Sequence, residues 1–447
     1  MLCLNDIKIE IESQGYKASK IEISENGTES YMILESTGKT NDVHCPDCGG
    51  KVYIHDSYES HLVDAPLWNG IKQTLYFKGH RYKCRSCNKS FAEKIPFRYP
   101  GTRITERAAN WIKGFLKNKV SIKAIQDLTG IHWDTIRSVQ KEYMQTMIDK
   151  HKKELEDKGY KPRYLAIDEF AIHKGHSYAT SVMDLEKGEL IWVGKGRTLS
   201  DFAKFFEDVS QHTLSAVIAV AMDMNASYNK LVTEKLPNAK IVYDRYHMQA
   251  QYSRDVLGVV RLEEARKHKL SAKETISAIT SETDSSKRKE LRKYAKEQKT
   301  EYSKLKKSRW LLLINRENLM GDREECLHEI LNEHQNLAIC YAMKEEMSRL
   351  FGLTDSTEAK IGWRLWFIAA VESGIPALMK FAELKVKRLP GLIAHAEFPI
   401  STGRLEGFNN KIKVAKRIGY GYRDDDFFFL LIRYLSLQSS RNIPTNP

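Results

Sequence analysis

No stretch of this chain approaches the roughly 20 consecutive apolar residues that a membrane-spanning helix requires, which excludes such a helix as its organising element. The opening residues Met1-Leu-Cys-Leu-Asn-Asp6 lack a basic start followed by an apolar run. No export signal is read there, and a cytoplasmic address is expected. Internal repeats are also absent, so the architecture is not built by repetition. Acidic residues are in deficit: 58 Asp and Glu stand against 71 Lys and Arg, for a net charge of +13 and a pI near 9.1. Such a surplus favours a polyanionic partner, because Lys and Arg on a nucleic acid release condensed counterions. Charge alone fits a merely basic surface equally well. Cysteine is limited to seven residues. In a reducing compartment these are thiols or metal ligands rather than disulfides.

What remains is an ordinary globular composition, 42% hydrophobic and 29% charged, over 447 residues. That length predicts a multidomain α+β chain rather than one core. Residues 1–100 read as short strands and turns, for example Lys51-Val-Tyr-Ile54 and Thr74-Leu-Tyr-Phe77. Tyr99-Pro-Gly101 is a breaker, and residues 101–150 turn helical. Residues 160–255 alternate β-rich runs with helices, residues 256–390 read as almost wholly helical, and residues 391–447 form a last segment. Pro390 and Pro399 mark a break, and a last helical section begins near Arg404.

Two Cys-x-x-Cys pairs, Cys45/Cys48 and Cys84/Cys87, flank a strand-like stretch. Each tight turn presents two sulfurs to one ion, and four thiolates suit tetrahedral Zn²⁺, the arrangement of a zinc ribbon. His44 and His55 lie close in sequence, but four sulfurs already complete the site. Cys3, Cys326 and Cys340 read as plain thiols. A helix-turn-helix follows. Ser121 caps a helix bearing Ile122, Ile125 and Leu128, Gly130 supplies the turn, and a second helix runs from about His132 to Met147. Ile136, Val139 and Tyr143 face inward, leaving His132, Thr135, Arg137 and Lys141 for a DNA major groove. A helical hairpin used only for packing shares this pattern.

The acids carry the chemistry. Apolar strands deliver Asp168 (Arg163-Tyr-Leu-Ala-Ile-Asp168) and Asp223 (Ala216 to Asp223), with two strands and a helix between them. Three strands, a helix, a strand, a helix and a strand is the order of the RNase H-like fold, in which these two acids lie side by side. Adjacent carboxylates repel unless cations separate them. Two Mg²⁺ ions about 3.5–4 Å apart would neutralise them and clamp the oxygens of a phosphodiester. A third acid fits on the late helix Gly403-Arg-Leu-Glu-Gly-Phe-Asn-Asn-Lys-Ile-Lys413, where Glu406, Asn410 and Lys413 recur at i, i+4 and i+7. Lys411, Lys416, Arg417 and Arg423 add positive charge nearby.

These residues together resemble the ISL3 family of bacterial insertion-sequence transposases, over nearly the whole chain. The likeness rests on the paired knuckles, the helix-turn-helix, the Ile-Asp168-Glu-Phe strand, Asp223-Met, Asp244-Arg-Tyr-His247, Glu406-Gly-Phe-Asn-Asn-Lys-Ile-Lys413 and Lys416 to Arg423. The resemblance implies an Asp-Asp-Glu triad carried by Asp168, Asp223 and Glu406, with dependence on Mg²⁺ (or Mn²⁺). It implies recognition of terminal inverted repeats in double-stranded DNA, joining to target DNA, and a homodimer bringing two ends together near the bacterial nucleoid. Asp244 and His247 match a motif that supports the site, and residues 256–390 match a helical insertion. Thr402 departs from the pattern, since many relatives carry Asn there.

Several alternatives stay open. Asp244 also follows an apolar strand and competes with Asp223 for the second place. Asp424-Asp-Asp426 reads as the start of the helix bearing Phe427-Phe-Phe-Leu-Leu-Ile432, an aromatic run expected in a core. The basic run Ser286 to Lys293 reads as a solvated helix face, and His247 and Trp310 have core readings as well as functional ones. Two other functions compete: an RNase H-like nuclease that cleaves without joining, and a DNA-binding regulator descended from a transposase.

Overall fold

The computed structural model describes residues 4–37, 43–67, 70–173, 175, 177–419 and 421–440. Cys3 lies outside them, as does the last stretch, 441–447. The chain divides into two compact units, Met1–His151 and Lys152–Pro447.

The first unit pairs a sheet with helices. Its strands are β1 (Tyr16–Ile23), β2 (Glu29–Ser36), β3 (Val52–Val63), β4 (Lys72–Cys84) and β5 (Ser90–Ala92), in the order β1-β2-β4-β3 with β5 also on β4. Two of these are longer than the short strands expected. β3 and β4 pair antiparallel along nearly their whole lengths, from Val52↔Cys84 to Val63↔Thr74. Period-two alternation buries one face: Met32, Leu34, Leu62, Leu75 and Phe77 close on Ile7 and Ile11 of the helix Leu4–Ser13.

Helices Glu106–Lys117, Ile122–Thr129 and Trp133–Asp157 follow. Ser121 caps the second, accepting from the Ala124 amide, and Gly130 ends it with φ of 70°. Ile136 and Val139 are fully buried, but Leu128 stands 61% exposed. Thr129 takes the inward place instead, because four residues after Ile125 is closer to the same helix face than three. A buried ion pair ties the first helix to the sheet. The Arg107 guanidinium meets the Asp64 carboxylate, whose side chain has no exposure, and Thr105 donates to the same carboxylate. Removing one partner leaves a buried charge, so Asp64→Ala is expected to destabilise this unit by about 3–5 kcal/mol, checked by urea unfolding.

The second unit is built on β6 (Tyr164–His173), β7 (Ser177–Asp184), β8 (Glu189–Lys195), β9 (Ala219–Met222) and β10 (Lys240–Tyr243), in the order β10-β9-β6-β7-β8. The β6-β7-β8 meander is antiparallel, whereas β9 and β10 join parallel. Parallel joins need crossovers, supplied by the helices Leu199–Asp208 and Ala226–Lys235. These cover one face, where Phe202, Phe205, Tyr228 and Leu231 pack on Leu165, Ile167, Val220 and Met222. The other face, with Ala166, Phe170, Ile172 and Ala221, is covered by Leu405, Phe408 and Ile412 of the helix Gly403–Ile418 and by Phe428 and Ile432 of the helix Asp425–Ser440. The aromatic run is therefore core, and Asp424 caps it by accepting from the Phe427 amide.

Residues Arg245–Glu397 are helical apart from short breaks and share one large core around Tyr252, Trp363, Trp366 and Phe381. Pro390 is no break: it occupies the first turn of the helix Leu389–Glu397, where its missing N–H costs nothing. Trp310 is no core residue either. It stands 70% exposed with the Arg309 guanidinium over its ring. The run Ser286 to Lys293 lies almost wholly exposed on the helix Ser285–Lys307, as a solvated face does. No described helix is long and apolar enough to cross a membrane.

Candidate active site

In the first unit, β3 follows the first cysteine pair and β4 runs into the second. The Cys45 amide donates to Gly50 and the Gly49 amide back to Cys45, closing the first knuckle, while the Cys84 amide donates to Lys89. The residue after each pair sits in the left-handed region, Gly49 at φ 70° and Asn88 at φ 58°. These are the residue types that adopt it cheaply. Sulfur separations are 3.6 Å (Cys45–Cys87), 3.5 Å (Cys48–Cys84) and 3.5 Å (Cys48–Cys87). Zn–S bonds near 2.3 Å at tetrahedral angles require about 3.8 Å, so the four sulfurs fit one zinc ion with little movement. The Cys87 and Ser86 amides point at the Cys84 sulfur and pull its pKa down to about 6, toward the thiolate a metal binds.

In the second unit, strand parity brings the acids together. Asp168 shares a sheet face with Ala166 and Phe170, and Asp223 with Ala221. Ile167 pairs with Met222 across the parallel ladder, so the two acids follow in step on neighbouring strands. Both belong to the face that the helix Gly403–Ile418 covers, and that helix carries Glu406 in its first turn. His247 lies between, its Nδ1 3.9 Å from Asp223 Oδ2 and its Nε2 3.5 Å from Glu406 Oε1. The Nε2 atom is buried and makes no hydrogen bond. Burial raises the Asp168 carboxyl to about 6. The Glu169 amide and His247 oppose the rise, and the Glu406 and Glu169 carboxylates add to it. Among the described residues no Lys or Arg forms an ion pair with Asp168, Asp223 or Glu406. A convergent group of acids without an ion-paired Lys or Arg is what a divalent ion would relieve.

Asp244 differs in kind. It is 3% exposed and caps the helix Arg245–Tyr252. Its Oδ1 accepts from the Tyr246 and His247 amides, and its Oδ2 accepts from the Thr402 amide at 2.9 Å. It thus fixes His247 and the start of the Glu406 helix at once. Asp244, His247 and Glu406 do bring ligand atoms within 4.8 Å of one another. Asp244 has nonetheless committed both oxygens to backbone amides, while Asp223 is 41% exposed and uses only Oδ1, on the Met224 amide. Thr402, despite its short side chain, donates to Glu406 Oε1 at 3.3 Å.

The amide that reaches the acids is Asn409, not Asn410. Asn409 is buried and donates to Asp168 Oδ2 at 2.7 Å, whereas Asn410 is exposed and accepts from Lys413. A spacing of three, rather than four and seven, lies over the sheet here, because Leu405, Phe408 and Ile412 set the buried stripe. Asn409→Ala is expected to lower strand cleavage by about 10–100-fold, with Asn410→Ala close to wild type, measured on the same DNA substrate. Sequence reading also missed three basic residues. Arg404 donates to the carbonyls of Leu185, Glu186 and Lys187, anchoring the Glu406 helix to the β7–β8 turn. Arg388 reaches the Met224 carbonyl, and Lys385 lies close enough for Asp223 to act on its charge. Arg404 stands beside Glu406 in the quoted segment, but its partners are backbone carbonyls far away in the chain, and Arg388 and Lys385 sit in no motif that the sequence could have signalled. Of the residues expected on DNA, His132 and Lys141 are exposed, Thr135 is half-buried, and Arg137 stacks over Trp133. On the late helix Lys411, Lys413 and Arg417 are exposed, and Lys416 bends back toward the Ala171 carbonyl.

Comparison with known proteins places these residues in context. The DDE transposase family of the ISL3 type, described as "Transposase", matches residues 165–432. The transposase for insertion sequence element IS1001 of Bordetella parapertussis is 31% identical over 422 residues, 94% of this chain and 95% of that one. The transposase for insertion sequence element IS1557 of Mycobacterium tuberculosis is 24% identical over 286 residues, 64% of this chain and 62% of the relative. The matched segment opens at β6 and closes in the last helix, enclosing Asp168, Asp223 and Glu406 together. The chain belongs to the ISL3 family of DDE transposases.

Proposed function

We propose that this transposase binds the terminal inverted repeats of its own insertion sequence, cleaves the strands there and transfers them to target DNA. The observation that carries the reading is the placement of Asp168 and Asp223 in step on one sheet face, under the helix bearing Glu406. The order β10-β9-β6-β7-β8, with its antiparallel meander and parallel additions, supports an RNase H-like core formed by residues 160–255 and 391–447, interrupted by the helical insertion 256–390. Asp168, Asp223 and Glu406 would hold Mg²⁺ or Mn²⁺. Such ions neutralise the clustered carboxylates and polarise phosphodiester oxygens. Asn409 orients the Asp168 carboxylate, Asp244 fixes the Glu406 helix, and His247 stands between Asp223 and Glu406.

Residues 1–100 act as a zinc ribbon through Cys45, Cys48, Cys84 and Cys87, and residues 101–150 as a helix-turn-helix. His132, Thr135, Arg137 and Lys141 meet the major groove. Lys411, Lys413, Lys416 and Arg417 run along the DNA backbone beside Glu406. Two ends must meet, so the working form on DNA is a homodimer in the bacterial cytoplasm. The test incubates the protein with duplexes carrying the element's ends and a target plasmid, with Mg²⁺ and with chelator. Cleavage at the ends followed by joined products, only with metal, is expected. Cleavage without joining favours the nuclease, and end binding without cleavage favours the regulator.

A further inference from the structure

Within the helical region, three helices bring a further set of metal-binding groups together, none of them among the residues described above. His334 sits at the break between the helices Asp322–Glu333 and Gln335–Leu350, with non-helical φ and ψ of −129° and 85°. It is 5% exposed, and its Nε2 has no hydrogen-bond partner. That nitrogen faces Glu301 Oε2, itself buried and unpartnered, at 3.9 Å. Glu301 stands on the helix Ser285–Lys307, and Glu333 immediately precedes the histidine. Ligand atoms of Glu301, Glu333 and His334 all lie within 4.8 Å of one another. The other ring nitrogen, Nδ1, faces Glu264 Oε2 of the helix Gly258–Ser281 at 3.8 Å.

We propose that His334, Glu301 and Glu333 form a structural site for a divalent metal of the zinc class. Both histidine separations exceed a hydrogen bond, so direct pairing does not explain the burial of either group. Zinc bonds of about 2.0–2.2 Å to N and O place those atoms about 3.4 Å apart at a tetrahedral angle, within about half an ångström of the separation present. A zinc-bound histidine ordinarily gives its other N–H to a carboxylate, and Glu264 stands on that side. Its other oxygen, Oε1, is already paired with Lys267. Lys304 is the competing cation, 3.6 Å from Glu301 Oε1, 3.2 Å from Glu329 and 3.5 Å from Glu333. It leaves Glu301 Oε2 to the histidine, and four carboxylates still outnumber two ammonium groups. A metal there would pin three helices of the region together at the point where the chain breaks.

The test is a Co²⁺ titration of the full-length protein carrying Asp168→Asn, which weakens metal binding at the DDE acids. The four cysteines give a thiolate-to-cobalt absorption band. A further equivalent bound without that band is expected. Its affinity should fall at least tenfold in Glu301→Gln and in Glu333→Gln, with the thiolate band unchanged. Glu333 is half exposed, so its substitution tests the site without risking the fold, and far-UV circular dichroism checks this. Uptake that ends with the cysteine site overturns the proposal, and so does a further equivalent that survives both substitutions.

Discussion

Glu406→Gln is expected to lower strand cleavage by at least about 10³-fold while leaving binding to the element's ends nearly unchanged. Loss of a charged ligand removes several kcal/mol of transition-state charge stabilisation, and each 1.36 kcal/mol is tenfold in rate. Glu406 is about one-third exposed, and its protein contacts are the Thr402 hydroxyl and His247. The neutral amide is isosteric and still accepts from Thr402, so folding should survive. Comparison with the two competing aspartates sharpens the experiment. Asp223→Asn should abolish cleavage with little loss of stability, because that carboxylate is partly exposed and bonded only to its neighbour's amide. Asp244→Asn should instead destabilise the fold, since it weakens a buried helix cap that also holds Thr402. Both are read from cleavage gels beside urea unfolding curves. Full cleavage by Glu406→Gln would remove it from the triad. Cleavage by Asp223→Asn together with a stable but inactive Asp244→Asn would move the second acid to Asp244.

The second large effect concerns the cysteines. Replacing Cys48 and Cys87 with serine is expected to release one zinc per chain and to unfold the sheet of the first unit locally, with loss of end binding. Structural zinc contributes apparent binding free energies of about 10–16 kcal/mol in small domains, as large as the total stability of a typical domain. The local core gives little in return: β3 shows mostly exposed positions between Val52 and Ser60, so little apolar burial is present there to hold the strand end. Zinc content, limited proteolysis and gel shift together check this. A protein that keeps its zinc, or loses it without becoming protease-sensitive, would show that the four sulfurs do not hold this unit together. Cleavage of pre-nicked ends should fall only as far as binding falls, because Asp168, Asp223 and Glu406 belong to the other unit.

Much of the site was legible because strands repeat every two residues and the acids occur in fixed phase with apolar neighbours. Asp168 alternates with Ala166 and Phe170, so its face follows from the sequence once β6 is recognised. The cysteine knuckles were legible for a similar reason: spacing and the turn residues Gly49 and Asn88 are local. Helical phase was less secure. Glu406, Asn410 and Lys413 make a plausible stripe on paper. The helix instead rotates to bury Leu405, Phe408 and Ile412, and that rotation brings Asn409 to Asp168 and turns Asn410 to solvent. An apolar stripe fixes helix rotation only when the surface it meets is known.

The sequence by itself determined which acids and thiols this protein possesses, the strand and helix order from β6 to β10, and the spacing of its knuckles, whereas the helix Leu4–Ser13 escaped it. All of these depend on residues near one another in the chain. Tertiary structure alone decided that Asp244 spends its oxygens on backbone amides, that Arg404 anchors the Glu406 helix to a turn more than 200 residues earlier, and that His334 is buried against Glu301. Each of these is a contact between groups distant in sequence. Its existence depends on which faces the core buries, and no local propensity encodes that.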